Sequence, residues 1–223
     1  MQNLSFDPTV MSDRIRGFLD NGGVTIWLIA ALSVMTLALI LWKTWQLTRL
    51  GAWSKGRSEA GVVLWCEGGR QAATALLKDR RGIRAQLSVA AMNATLKYPP
   101  EEAREDTSRV ARNLLGDAGR GLRALELIST IAPLLGLLGT VLGMIAAFQT
   151  LQEAGSRADP SALAGGIWEA LLTTAAGMAV AIPASAALTW FESVIDRLRL
   201  DMEDAATRIF VSNPARGLKL AAE

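Results

Sequence analysis

The chain of 223 residues contains no histidine, one cysteine and one tyrosine. Without histidine, a catalytic dyad or triad that uses imidazole is excluded, and the common zinc sites are disfavoured. The single thiol, Cys66, cannot form a disulfide within the chain. No glycine-rich phosphate loop ends in Lys-Ser or Lys-Thr either. We therefore expect no enzymatic activity, no bound metal and no cofactor.

Net charge is also small, at +2, although 20% of the residues are charged and 51% are hydrophobic. The hydrophobic residues concentrate in three stretches with uncharged centres, at 23–45, 127–152 and 169–191. About 20 apolar residues of helix cross a bilayer core of roughly 30 Å. The sequence thus predicts an all-α membrane protein with three transmembrane helices and long helical extensions.

Basic residues predict the orientation of these spans. Residues 43–126 and 192–223 carry 20 of the 23 lysines and arginines, whereas only Arg14, Arg16 and Arg157 lie elsewhere. Because cytoplasmic segments are enriched in basic residues, we expect the N-terminus in the periplasm and the C-terminus in the cytoplasm. No aromatic residues interleave with the basic cluster around 70–84, which argues against nucleic acid as a partner.

The connecting segments follow from this topology. We expect 1–22 to be a periplasmic tail or amphipathic helix, 46–126 a cytoplasmic helical segment, 153–168 a periplasmic loop, and 192–223 a cytoplasmic helix and tail. Within 46–126 we expect an interaction and assembly surface rather than a separate globular domain. Apolar residues at three- and four-residue steps after Pro100 predict one helix that continues directly into the second span.

Glu169 is the strongest candidate functional residue because it lies at the mouth of the third span. Ionisable groups at membrane depth usually face a protein interior or water and mark ion paths. A carboxyl group held there can carry or gate a proton. The alternative is an acid just above the hydrocarbon, at a helix N-terminus where the helix dipole favours it.

Three threonines form a second group of candidates. Thr173 follows Glu169 by four residues and shares its helical face, whereas Thr174 lies about 100° away, and Thr140 lies in the preceding span. Their hydroxyls can line a water-filled path or bond back to their own helices. Small residues and prolines in the same spans predict close helix packing. These are Pro133, Gly136, Gly139, Gly143, Gly177 and Pro183.

No acidic residue lies in the middle of any predicted span. If the protein serves proton flow, the central titrating group must therefore come from another chain.

Two motifs in this order resemble the signature of the ExbB/TolQ/MotA proton-channel family, over about 125–199. They read IAPLLGLLGTVLGMI at 131–145, and GIWEALLTTAAG at 166–177 followed by AIPA at 181–184. The resemblance implies that Glu169, Thr140 and Thr174 line a lumen. The length and the three spans resemble the ExbB or TolQ type rather than the four-span flagellar stator subunit. The span motifs do not separate these two types, and we prefer the ExbB type, with the TolQ type next.

The resemblance also implies partners. Family members form a homo-oligomer, a pentamer, around a dimer of a single-span ExbD- or TolR-type protein in the central pore. Proton-motive force then drives motion that reaches a TonB- or TolA-type protein, within the phospholipid of the bacterial inner membrane. For this chain the implied function is a proton-channel and motor subunit for TonB-dependent outer-membrane transport. A TolQ-type role in envelope maintenance and constriction, and a non-conducting membrane scaffold, are the alternatives.

Overall fold

The computed structural model describes residues 23–54, 56–78, 80–155 and 160–212. Across these residues all regular structure is helical, in seven helices. They are α1 (Gly23–Arg49), α2 (Gly56–Cys66), α3 (Arg70–Lys78), α4 (Ile83–Lys97), α5 (Pro100–Gly119), α6 (Leu122–Ala154) and α7 (Pro160–Val211).

Three helical stretches are long and apolar enough to cross a membrane: Val24–Arg49, Pro100–Glu153 and Leu163–Val211. This confirms the predicted all-α membrane protein with three spans. The predicted sides of the two termini stay a prediction. The tail or amphipathic helix expected at 1–22 and the final residues 213–223 lie outside the described residues, as do 156–159 of the predicted periplasmic loop.

The first compact unit comprises the described parts of 23–40 and 123–188, from α1, α6 and α7. The three helices bury a common apolar cluster, and its members are mostly alanine, valine and isoleucine. The buried residues are Ile29, Ile128, Ala132, Val180, Ala181 and Ala184. Alanine dominates where helices approach closely, because a larger side chain would hold the backbones apart.

The second unit comprises 41–122 and 189–212, which include α2 to α5 and the end of α7. It buries its own hydrophobic cluster of Val62, Trp65, Ala73, Leu77, Ala85, Ala91, Met92, Ala205 and Ile209. The interaction and assembly surface expected over 46–126 stays a prediction. The segment has a core because α2, α3 and α4 each contribute two or three residues to one cluster that the end of α7 completes.

A buried arginine stabilises the second unit. The guanidinium of Arg84 on α4 donates to Ala52 O at 2.9 Å and to Asp201 Oδ2 on α7 at 2.7 Å. Its side chain is 8% exposed. Arg84 Nε donates to the same Asp201 oxygen at 3.0 Å. The carboxylate and the backbone acceptors together satisfy the donors, which is what a buried charge requires.

The predicted continuous helix after Pro100 is interrupted. Helix α5 ends at Gly119 and α6 begins at Leu122, with Gly121 at a φ of +84°. A Cβ atom at Gly121 would lie 2.8 Å from Trp42 Cζ3 on α1. Glycine is thus required twice, for its backbone conformation and for the space that Trp42 occupies.

Lys43 satisfies the carbonyl groups that this interruption exposes. Its side chain is 1% exposed, and Nζ donates to Ala118 O at 2.5 Å and to Arg120 O at 2.6 Å. Gln46, one turn along α1, accepts from Nζ at 3.0 Å and donates to Asp117 O at 3.1 Å. A cation at a helix C-terminus also complements the negative end of the dipole.

We predict that Lys43→Met loosens the junction between α5 and α6. The substitution leaves buried carbonyl oxygens without donors, which costs roughly 1–3 kcal/mol for each group. Hydrogen exchange measured by mass spectrometry should rise across 117–121. Lys78→Met, which removes an exposed lysine at the end of α3, is the matched control, and equal exchange in the two variants would contradict this account.

Candidate functional site

Helices α6 and α7 approach each other most closely at two glycines. A Cβ atom at Gly177 would lie 2.5 Å from Ala132 O and 3.1 Å from Gly136 Cα. One at Gly136 would lie 2.9 Å from Thr174 Cα. Backbone therefore touches backbone, which only glycine allows.

Two hydroxyl groups bridge the same contact. Thr174 Oγ1 donates to Gly136 O at 3.0 Å, and Thr173 Oγ1 lies 3.3 Å from the same oxygen and 2.7 Å from Ala170 O. Thr173 is buried and Thr174 is half-buried. The close glycine contact brings the Gly136 carbonyl within reach of short side chains, and such interhelical hydrogen bonds contribute about 0.6 kcal/mol each on average in membranes.

A third helix joins the contact one turn further along α6. A Cβ atom at Gly139 would lie 2.6 Å from Thr173 Oγ1 and 3.2 Å from Thr25 Cγ2 on α1. Gly143 faces Ala170, where an added Cβ atom would lie 3.0 Å from the alanine methyl group. Helices α1, α6 and α7 therefore meet around small residues.

The two prolines lie inside helices without ending them. Pro133 lies within α6 and is half-buried, whereas Pro183 lies within α7 and is exposed.

Glu169 lies on α7 one turn before Thr173 and is half-buried. Its Oε1 is shielded from solvent, and no residue that the structure describes forms a hydrogen bond with this oxygen. A buried acceptor without a donor is uncommon, since it loses hydration without compensation. Within the described chain, this oxygen therefore remains without a donor.

Thr140 lies on a different face of α6. Its hydroxyl donates to Leu137 O in its own helix at 2.6 Å. The side chain lines an open groove of about 480 Å³ with Met144, Phe148, Gln149 and others of the same helix face. Of the four predicted proton-path residues, Glu169, Thr173 and Thr174 lie together along α7, whereas Thr140 lies on this separate groove.

Sequence reasoning missed two features here. Thr25 is 7% exposed and lies against Gly139, but nothing in the sequence around it distinguishes it from a helix hydroxyl that bonds to its own backbone. Gln149 and Gln152 line the Thr140 groove. The four-residue steps from Thr140 through Met144 and Phe148 to Gln152 could have revealed this face.

We predict that Gly177→Ala destabilises the contact between α6 and α7. Alanine favours helix over glycine by about 0.5–1 kcal/mol, but crowding against a backbone oxygen typically costs 1–3 kcal/mol, so the net effect should be a loss of stability. Gly165→Ala, in the same helix with open space around the added carbon, is the control. Thermal unfolding in detergent should show a lower Tm for Gly177→Ala only; a Tm equal to or above the parent would contradict the contact.

Comparison with known proteins finds one matching family profile and several similar proteins. A family profile described as the MotA/TolQ/ExbB proton channel family matches residues 79–204. The chain is 45% identical over 83 residues to biopolymer transport protein exbB1 of Vibrio cholerae, which is 37% of the chain and 36% of the relative. It is 43% identical over 74 residues to ExbB of Xanthomonas campestris, covering 33% and 29%, and 38% identical over 91 residues to ExbB of Neisseria gonorrhoeae, covering 41% of each.

The matched region thus spans about a third of the length of these curated relatives. The region matched by the family profile, 79–204, contains the glycine contact, the threonines and Glu169. Because the family profile matches more than half of the chain, the chain belongs to the MotA/TolQ/ExbB proton channel family.

Proposed function

We propose that this chain is an inner-membrane proton-channel and motor subunit of the ExbB type. With a single-span partner of the ExbD type, it converts proton-motive force into mechanical work for TonB-dependent transport across the outer membrane. The names of the relatives, biopolymer transport protein ExbB, support this choice over the TolQ type.

The observation that carries the proposal is the shielded carboxylate oxygen of Glu169. It has no hydrogen-bond donor among the described residues, and the spans hold no acid at mid-membrane depth. Once the half-buried side chain turns this oxygen outward, a titrating carboxyl group on a partner helix would supply the missing donor when protonated and withdraw it when ionised. Glu169 then senses the protonation state of that partner.

The hydroxyl groups near Glu169 fit the same role. Thr174 and Thr173 already satisfy the Gly136 carbonyl. They therefore keep α6 and α7 fixed against each other, as a wall along which the partner moves. Thr140 and Gln149 present polar groups along the open face of α6. The Thr140 hydroxyl is satisfied within its helix, but the amides of Gln149 and Gln152 are unfavourable against lipid. We therefore assign this face, which also carries apolar side chains, to a lumen between subunits.

This lumen requires several copies of the chain. We propose a homo-oligomer, with the pentamer of the family as its form, around a dimer of the single-span partner. A TonB-type protein receives the motion, and phospholipid of the inner membrane surrounds the ring. The periplasmic N-terminus and cytoplasmic C-terminus complete the proposed arrangement.

We predict that Glu169→Ala abolishes motor function and leaves assembly intact. The substitution removes the only carboxylate that faces the proposed partner acid from α7, without adding bulk to the helix contact. The measurement is energy-dependent uptake through an outer-membrane receptor in a strain that lacks its own subunit. Uptake should fall to the level of that strain, while the single-span partner still co-purifies.

Glu153→Ala is the control, because it removes an exposed acid near the end of α6. Full uptake with Glu169→Ala would exclude Glu169 from the mechanism. Normal assembly without any proton-dependent uptake, even for the parent chain, would instead support a non-conducting scaffold.

A further inference from the structure

The second unit carries a groove that the proton-path site does not use. It lies between α5 and the end of α7 and has a volume of about 780 Å³. Ala111 and Leu115 of α5 and Met202 and Phe210 of α7 form an apolar floor. Such a floor in the part of the chain outside the apolar spans indicates a docking surface.

The rim of this groove is basic. Arg104 and Arg199 line it together with Arg112, which also lines the pocket beside Tyr98, and Glu203 is the one acidic residue among its lining residues. Arg199 Nε lies 2.9 Å from Glu203 Oε1, and the Arg104 guanidinium lies 5.9 Å from the Phe210 ring centre. The rim therefore carries excess positive charge around an apolar floor.

A second surface has the opposite character. At the corner between α4 and α5, Leu96 and Tyr98 are 58% and 37% exposed. The acidic side chains of Glu102 and Glu105 follow them on the same side of α5. The neighbouring Asp106 is paired with Arg109 at 2.7 Å. We call Leu96, Tyr98, Glu102 and Glu105 the acidic corner. The pocket beside Tyr98 also holds Arg109 and Arg112, so its three acidic side chains leave a small negative excess, opposite in sign to the excess at the groove rim.

Apart from Arg112, which lines both, the two surfaces lie on different sides of α5. At 100° per residue, the mean direction of Glu102 and Glu105 is roughly 130° from that of Arg104, Ala111 and Leu115. The corner of a molecule therefore cannot enter its own groove. Two different surfaces that complement each other on one chain produce a head-to-tail contact between copies, which closes into a ring when the rotation allows.

We propose that the basic groove receives the acidic corner of a second copy of this chain. The proposal rests on the homo-oligomer of the proposed function and adds which surfaces join its subunits. Leu96 and Tyr98 fill the apolar floor, and Glu102 and Glu105 meet the arginines of the rim. An anionic membrane surface would suit the groove alone and would repel the corner, so a second copy accounts for both surfaces.

The first test is chemical cross-linking in membranes, with the natural thiol removed by Cys66→Ser. Leu96→Cys places a thiol in the corner and Ser108→Cys places one at the groove. A short bismaleimide should link copies of the doubly substituted chain into a ladder of bands larger than the dimer on a denaturing gel. Each single substitution should yield dimers at most. Leu76→Cys with Ser108→Cys is the control pair, because Leu76 is exposed and lies outside both surfaces.

The second test reverses charges in the cross-linking chain. Glu102→Arg with Glu105→Arg, or Arg104→Glu with Arg199→Glu, should reduce the ladder at least about tenfold, because like charges then face each other. Combining all four substitutions should restore the ladder. Glu67→Arg with Arg57→Glu, both exposed and outside the two surfaces, should leave it unchanged.

The outcomes separate this proposal from the proposed function. A ladder that persists in both reversed pairs, or that the fourfold variant does not restore, overturns the docking of corner into groove. If the chain co-purifies as an oligomer with its single-span partner but forms no ladder, the groove has another occupant and only this proposal fails. A monomer without a partner contradicts both.

Discussion

The structure depends on one constraint, the direct backbone contact between α6 and α7. Gly177 and Gly136 leave no room for a side chain between the helices, so every group around them is fixed by that distance. The contact brings the Gly136 carbonyl within reach of Thr174 and Thr173, and it places Gly139 beside Thr25 of α1. In a membrane, where no hydrophobic effect drives helices together, such packing and hydrogen bonding provide the association energy. A wall built this way is rigid.

In the proposed function, the fixed contact between α6 and α7 explains how the unsatisfied oxygen of Glu169 can act in proton-driven motion. Glu169 lies one turn from Thr173, and the shielded Oε1 has no donor within the described chain. Since the neighbouring hydroxyls already have backbone acceptors, they do not rotate to satisfy it. An incoming protonated carboxyl group would therefore gain a hydrogen bond that its ionised form cannot make. The division of labour between a fixed α6–α7 contact and a moving acid belongs to the proposed function of this member of the MotA/TolQ/ExbB family.

The sequence predicted what depends on local composition. The three spans were predictable because bilayer thickness sets the length of an uncharged apolar run. The break between α5 and α6 was not, since both sides have helical spacing. The break depends on Trp42 and Lys43, and Lys43 reaches carbonyls 75 and 77 positions away in the chain. The core of the second unit was missed for a similar reason: short helices share it, and several members are alanines. The position of Glu169 was predicted, but its missing donor follows only from the packed structure.

The most direct test of the central claim is a structure of the chain with its single-span partner in lipid nanodiscs, by electron cryo-microscopy. This account predicts that the Glu169 carboxyl group faces an interior lined by protein, within hydrogen-bond distance, about 2.5–3.2 Å, of a group on the partner helix. It also predicts that the contact between Gly136 and Gly177 is unchanged. A map in which Glu169 points into the acyl chains of the lipid, with no partner helix beside α7, would contradict it.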